Sequence, residues 1–355
     1  MLASVELENF RCIEQARLEF DAAGTGIVGP NGSGKTSLLE AIYFLAHGRS
    51  FRTNVRSRLK GPHQPYFRVV ASVTRPDGSR ISCGAQVSES ETRLRVGGAD
   101  ATSISDVAEL LPVQVIDPSV HRVVEEGSSR RRRLLDWGVF HVEHDFLGPW
   151  RRYQRALKQR NAALRTRATF DMVETWTSEM GACASRIDQA RRSYVERLAP
   201  EFSRLGHEIL GTVVTLTYDR GWDESLSLEE ALVRASERDH RVGTTTVGPH
   251  RADLSFRIGG KVARDRVSRG QQKLLAASLV LAQIAVRARH ASEPTLLLLD
   301  DPAAELDVDS LGKLLAVVAQ LPVQLIATSL TPQGLSGMRL GRMFHVEQGK
   351  FASML

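Results

Sequence analysis

The chain has 355 residues, with 47 Lys+Arg against 41 Asp+Glu, a formal net charge of +6 and 42 % hydrophobic residues. That is room for two domains with a sizeable core, in the composition of a soluble globular protein. The mild basicity permits a nucleic acid or an acidic membrane as partner and demands neither. Three cysteines, Cys12, Cys83 and Cys183, lie far apart with no C-x-x-C pair, which excludes a disulfide framework or a zinc ribbon and fits a reducing cytosol. The start, L-A-S-V-E-L-E-N-F, alternates like a strand rather than a signal peptide. The longest apolar-rich stretch, Leu274 to Val286, includes Gln283 and is too short to span a bilayer. It reads as a buried helix, so no membrane association is expected.

Residues 2–9, 14–20 and 24–28 read as strands leading into G-P-N-G-S-G-K-T, Gly29 to Thr36. Lys35 to His47 then has helical spacing at Leu38, Leu39, Ile42 and Leu45. Residues 65–116 look β-rich, punctuated by the turn signals at Pro76 to Gly78 and at Gly97, Gly98. From Arg130 to about Leu205 the pattern is helical and Arg-rich. Pro149 suits a helix start, and Pro200 is expected to interrupt the second long segment. A strand follows at 213–218 and a short helix near 226–239. From about 245 the pattern is α/β again, with strand 295–300, helix 308–320 and strands 323–328 and 343–347. The expected division is a head of residues 1–119 and 245–355 and a mainly helical insertion, 120–244.

Gly29, Gly34, Lys35 and Thr36 meet the G-x-x-x-x-G-K-[ST] pattern. Phosphate needs donors that approach without side chains in the way. Glycines let the backbone curl its N–H groups inward, and the following helix adds the positive end of its dipole. The cradle is Gly29, Pro30, Asn31, Gly32, Ser33, Gly34, Lys35 and Thr36. Lys35 reaches the β- and γ-phosphates, and Thr36 offers its hydroxyl to Mg²⁺. In L-L-L-L-D-D, Leu296 to Asp301, four apolar residues make a buried strand that ends at the ligand-binding edge of an α/β sheet. Asp300 there would hold Mg²⁺, directly or through water, and Asp301 sits where a general base polarises the attacking water. The third phrase, S-R-G-Q-Q-K at Ser268 to Lys273, places a capping Ser and a Gly at the start of the apolar helix. That is either a second anion site or an ordinary capped helix.

Taken in this order, the three motifs resemble an ABC-type ATPase head: an α/β P-loop fold with a β-rich N-terminal lobe and a helical inserted domain. The resemblance implies that Ser268, Gly270 and Gln271 of one copy contact the γ-phosphate held by another, in an ATP-sandwiched homodimer. A-E-L-D, Ala304 to Asp307, resembles the loop crossing that interface. Further phrases resemble the SMC and RecF group, and the RecF family of bacterial recombination proteins within it. They are E-N-F-R (Glu8 to Arg11), H-G-R-S-F-R (His47 to Arg52), R-R-R-L-L-D-W (Arg131 to Trp137), K-Q-R-N-A-A-L-R (Lys158 to Arg165) and G-P-H-R (Gly248 to Arg251).

Family membership implies a cytoplasmic ATP- and Mg²⁺-dependent protein with slow, DNA-stimulated hydrolysis. Its implied partners are duplex DNA, single-strand/double-strand junctions, RecR with RecO and, indirectly, RecA at gaps. The chain departs from the family pattern at Ala252, where an acidic residue is usual, and at Asp117-Pro118-Ser119. It departs again at Asp301, where many relatives carry Glu. Gln114 lies inside a strand and is not assigned as a transporter-type sensor glutamine. Ala327-Thr328-Ser329 brings no switch histidine.

Between Asp145 and Asp171 no acidic residue occurs. At 100° per residue, Arg151, Arg155, Lys158 and Arg165 share one helix face, beside an apolar face of Trp150, Tyr153, Leu157 and Leu164. Such a helix docks by its apolar face and meets phosphates with its basic one; nothing suggests base reading. A solvated face is the alternative. Arg130 to Arg133 is a second candidate patch, or equally a structural or nucleotide-sensing element near the head. Two other functions compete: the ATPase subunit of a membrane transporter, and a nucleotide-gated DNA clamp that does not hydrolyse.

Overall fold

Val5, Leu7, Phe10, Ile13 and Leu18 are buried on the two N-terminal strands, while the residues between them are mostly less so. That is the pattern of an antiparallel sheet with one face on a core. The structure, a computed structural model, describes residues 1–304 and 306–354, the side chains of Phe170, Asp265 and Arg266 excepted. Glu305 of the A-E-L-D phrase therefore lies outside the described residues. The chain forms two compact units. One is Met1–Val120, Glu208–Leu210 and Lys273–Leu355; the other is His121–His207 and Gly211–Gln272.

The first unit holds two six-stranded sheets. One is antiparallel, in the spatial order Ile13–Glu19, Leu2–Phe10, Tyr66–Thr74, Arg80–Ser88, Thr92–Val96, Ala99–Asp100. The other runs Lys350–Met354, Arg342–Glu347, Thr25–Val28, Val323–Ser329, Thr295–Leu299, Val113–Ile116, and is parallel except at the edge strand Lys350–Met354. Thr295–Leu299 is buried at every residue, as a strand covered on both faces must be. Helix Lys35–His47 touches strands of both sheets. It is bounded by Gly34 and Gly48, at φ +115° and +66°. Its Leu38, Leu39, Ile42, Phe44 and Leu45 join Leu7, Phe10, Val69, Leu298 and Ile326 in one core. The register brings Val28 opposite Ser329, one strand away from Leu299, so the carboxyl ends of three parallel strands open onto one edge.

Two elements of this unit escape the sequence pattern. Helix Ile104–Leu110 lies within the region expected to be β-rich, opened by a capping box of Ser103 and Asp106. Strand Lys350–Met354 closes the chain as a hairpin with Arg342–Glu347.

The second unit has a three-stranded antiparallel sheet, Val214–Asp219, Asp253–Ile258 and Lys261–Val262. Helices Ser128–Val142 and Leu147–Thr166 and the helix Phe170–Leu210 up to His207 supply about half of its residues. The expected boundary at 244/245 is corrected here. Asp253–Ile258 pairs along its whole length with Val214–Asp219, so residues up to Gln272 stay with this unit. Pro200 does not interrupt its helix, which runs through it for 41 residues. Tyr194, Leu198, Phe202 and Leu205 are fully or almost fully buried around it, and that packing outweighs one lost backbone hydrogen bond. The helix expected near 226–239 is two, Leu228–Arg234 and Ser236–Val242.

Three arginines of the Arg-rich region are internal posts. Arg131 donates to both Asp253 oxygens at 2.6 and 3.0 Å and to the Glu126 carbonyl at 2.6 Å. Arg160 donates to Asp239, Thr245 and Thr177 at 2.7, 2.8 and 3.0 Å. Arg191 makes a fork to Asp136 and donates to the Pro249 carbonyl at 2.7 Å. All three are buried, where a guanidinium is tolerated only with its donors matched. The G-P-H-R phrase is a joint of the same network. His250 donates from Nε2 to the Thr245 carbonyl and accepts from the Tyr153 hydroxyl at 2.7 Å, and burial holds its pKa down to about 4.

Replacing Pro200 with Ala restores an N–H donor inside the long helix. We expect the Pro200→Ala protein to gain about 1–3 kcal/mol, read as a higher urea midpoint for this unit. A midpoint that does not move would show that the helix around Pro200 has no unmet carbonyl to satisfy.

Candidate nucleotide site and basic helix

Gly29 to Thr36 turn from strand Thr25–Val28 into helix Lys35–His47 at the shared carboxyl edge. Gly29, Gly32 and Gly34 take φ of +159°, +76° and +115°, and at Gly32 and Gly34 only glycine is comfortable. No side chain caps the helix, so its first N–H groups face the loop with the positive end of the dipole. Ser33 is buried, and its Oγ has no hydrogen-bond partner among the described residues. An orphaned buried hydroxyl in a glycine loop is the mark of a site built for an oxyanion.

Lys35 is also buried, and its Nζ donates to the Gly29 and Pro30 carbonyls at 2.6 and 2.9 Å. Burial lowers its pKa, while Asp301 and Asp300 act to raise it, which places the ammonium in the field of both carboxylates. Asp300 follows the strand Thr295–Leu299 and is buried. Its Oδ1 accepts from the Thr36 hydroxyl at 3.0 Å and from the Thr328 hydroxyl at 2.8 Å. Its pKa is raised by burial first; the two hydroxyls oppose that shift, and the nearby Asp117 adds to it. Thr328 thus occupies the strand end where no histidine was found, and it braces both acidic residues, since its Oγ1 also accepts from the Asp301 N–H at 3.0 Å. Asp301 has φ +45°, a left-handed conformation that Asp adopts more readily than most residues other than glycine.

Beneath the loop helix a second network joins two of the family phrases. Glu40, fully buried, accepts from Arg11 of E-N-F-R, through Nη2 at 2.6 Å and also through Nε, and from the Ser50 hydroxyl of H-G-R-S-F-R. Arg52 stands 3.7 Å from Glu40 and acts to lower the Asp300 pKa. Neither Glu40 nor Thr328 was singled out from sequence; a Glu on the apolar side of the loop helix was the available signal for the first. Gln114 is buried and donates to Gln283 at 3.0 Å, a core pair.

In the second unit Ser268, Gly270 and Gln271 are exposed at the start of helix Arg269–Ala288. Ser268 Oγ accepts from the Gln271 N–H and Gln271 Oε1 accepts from the Ser268 N–H, at 3.3 and 3.1 Å. That is a capping box, so Gln271 has a local structural task. Among the described residues a Cβ at Gly270 would meet only Ser268 Oγ, at 3.9 Å, and none of them demands a glycine there. On helix Leu147–Thr166, Arg151, Arg155, Lys158 and Arg165 are exposed, opposite the buried Tyr153, Ala156, Arg160 and Leu164. The second candidate patch is divided: Arg131 is an internal post, Arg130 pairs with Glu126, Arg132 donates to the Ala252 carbonyl at 2.7 Å, and Arg133 is exposed and donates to the Ser129 hydroxyl at 3.1 Å.

Residues 1–352 match the RecF/RecN/SMC N terminal domain family. A relative from Thioalkalivibrio sulfidiphilus, named DNA replication and repair protein RecF, is 37 % identical over 98 % of this chain and 98 % of its own. One of the same name from Mannheimia succiniciproducens is 35 % identical over 100 % of this chain and 99 % of its own. A solved structure of the recombination mediator protein RecF-ATP in the RecFOR pathway has a TM-score of 0.90 at 26 % identity, covering 100 % of this chain and 97 % of that one. A Smc head bound to the C-winged helix domain of ScpA shares the fold, with a TM-score of 0.62 at 16 % identity over 99 % of this chain and 97 % of that one. The chain therefore belongs to the RecF family of DNA replication and repair proteins, built on the ABC-type ATPase head common to RecF and SMC.

Proposed function

We propose that the chain is a weak ATPase of recombinational repair that uses ATP as a switch to dimerise and to hold duplex DNA. The observation that carries this reading is the phosphate loop with its orphaned Ser33 hydroxyl, set beside Lys35, Thr36 and Asp300. In it the loop N–H groups and Lys35 Nζ hold the ATP phosphates, and Thr36 Oγ1 and the Asp300 carboxylate hold Mg²⁺. The ion supplies charge neutralisation at the β- and γ-phosphates. Asp301 orients the attacking water, and its short side chain suits slow turnover. Ser268 and Gly270 serve the γ-phosphate of a second copy. Arg151, Arg155, Lys158 and Arg165 contact DNA phosphates, with junctions as the repair substrate and RecR, with RecO, as protein partner toward RecA. Similarity to RecF, whose named role is DNA replication and repair, favours this over a transporter subunit.

Assembly is tested by ATP-dependent sedimentation. Ser268→Arg is expected to abolish ATP-driven dimers with ATP binding near normal, and Lys35→Met to weaken ATP binding itself. Equal loss of ATP binding in both would refute the shared site.

For DNA, we expect charge reversal of Arg155, Lys158 and Arg165 together to weaken duplex binding at least about tenfold at low salt. The log–log salt slope should fall by about 2–3, since each phosphate contact contributes about 0.9, and ATP affinity should hold. Unchanged binding and slope would assign DNA to another surface.

Asp300 carries a pH signature. Its folded-state pKa is raised, so ionising it disfavours the folded state. That penalty is absent below the ordinary carboxylate range and complete above the raised one. Asp300→Asn keeps an acceptor for Thr36 and Thr328 and removes the penalty. Relative to the parent, it should gain urea stability as the pH rises from 4 to 8. It should lose most of the about 2.7 kcal/mol that Mg²⁺ and ATP confer at a hundredfold excess over Kd. A difference that shrinks as the pH rises, or full stabilisation by Mg²⁺ and ATP, would contradict the assignment.

A further inference from the structure

The last hairpin of the chain reaches the phosphate loop. Strand Arg342–Glu347 runs parallel to Thr25–Val28, the strand that feeds the loop, with His345 opposite Val28. The hairpin then turns through Gln348 and Gly349, both at positive φ, +48° and +79°, between the paired Glu347 and Lys350. Such a two-residue turn already favours Gly at its second position. Its surroundings add a demand of their own. A Cβ at 349 would lie under 3.0 Å from the Cys12 carbonyl oxygen, closer than real Cβ atoms come. The Gly349 N–H donates to the Ser33 carbonyl at 2.7 Å. From the other side, a Cβ on Gly34 would come to 3.4 Å from the Gly349 Cα and from Cys12 Sγ. Three backbone segments thus meet at the two glycines, with the Cys12 side chain packed beside them.

From this we infer that Gly349 is a positioning residue for the phosphate loop. The inference rests on the reading of that loop as the ATP site. The argument is the planarity of one peptide. A trans peptide points its C=O and the next N–H in opposite directions. Pinning the Ser33 carbonyl to Gly349 therefore turns the Gly34 N–H away from the hairpin and holds it for a phosphate oxygen. Without the pin the peptide can flip, and the loop must be reordered each time ATP binds. Because the pin acts on binding and not on the reacting atoms, it should set the ATP affinity and KM and leave kcat alone.

The test compares two glycine substitutions in the full-length protein. Gly337 has φ +83° and nothing within 4 Å of a Cβ, so Gly337→Ala carries the same backbone strain without touching the loop. We expect Gly349→Ala to bind ATP about tenfold more weakly, the loss of roughly one well-placed donor. Its KM should rise in parallel and its kcat stay within twofold. Gly337→Ala should lower Tm and leave ATP affinity at the parent value. The inference is overturned if Gly349→Ala binds ATP like Gly337→Ala, or if kcat falls while KM does not. Hydrogen exchange on the unsubstituted protein decides the matter even if Gly349→Ala fails to fold. ATP should slow exchange both in residues 29–36 and in 345–352, and protection confined to the loop would remove Gly349 from the site. Lys35→Met separates the two levels. If it too binds ATP normally, the loop is not the ATP site and the role of Gly349 falls with it.

Discussion

A carboxylate with no exposure to water stays charged only if the protein supplies what water would have given. Glu40 sets that condition for the first unit. It sits on the inner side of the helix that follows the phosphate loop, and its partners come from two distant places, Arg11 at the end of the first strand and Ser50 after the helix. Meeting its demand therefore fixes the strand turn, the helix and the following loop against each other. Ser50 is fixed in turn, because its hydroxyl accepts from the Arg52 and Thr53 N–H groups at 2.9 and 3.0 Å. The helix that opens at the phosphate loop is thereby tied on its inner side to the end of the first strand and to the segment after the helix.

Much of this was legible in the chain, because it is local. The glycine loop, the apolar strand Thr295–Leu299 and the helix Val308–Gln320 each carry their own signal in consecutive residues. Even the sorting of arginines on Leu147–Thr166 follows from helical periodicity, which sets Arg160 apart from the exposed face. What was not legible depends on partners far away in sequence. Arg131 looks like part of a basic cluster until Asp253 is placed against it, 122 residues later. The domain boundary was misplaced because Asp253–Ile258 reads locally as any strand, and only its pairing with Val214–Asp219 assigns it to a unit. Pro200 obeys a local rule that the buried neighbours of its helix overrule. Gly349 is an inconspicuous glycine in a hairpin turn until the Ser33 carbonyl arrives 2.7 Å away.

The same contrast runs through the acidic pair. Asp300 is held by two threonine hydroxyls in a setting that disfavours its charge, while Asp301 takes a left-handed backbone. The first feature lowers the stability of the folded chain by itself. A bound cation would relieve it and so draw part of its binding strength from a penalty already present in the fold. Thr328 touches both residues, as acceptor from the Asp301 N–H and as donor to Asp300.

Three arginines of the second unit and three basic residues of its exposed helix face lie at opposite depths, and that gives each group a different response to its surroundings. Dissolved ions screen charges that face solvent over about 10 Å at 0.1 M and act far less on pairs enclosed by protein. Arg131, Arg160 and Arg191 are enclosed, each against its own carboxylate. Arg155, Lys158 and Arg165 face outward. Ionic strength is therefore a selective handle on this protein: it loosens what the surface charges hold while the internal posts keep the scaffold upright.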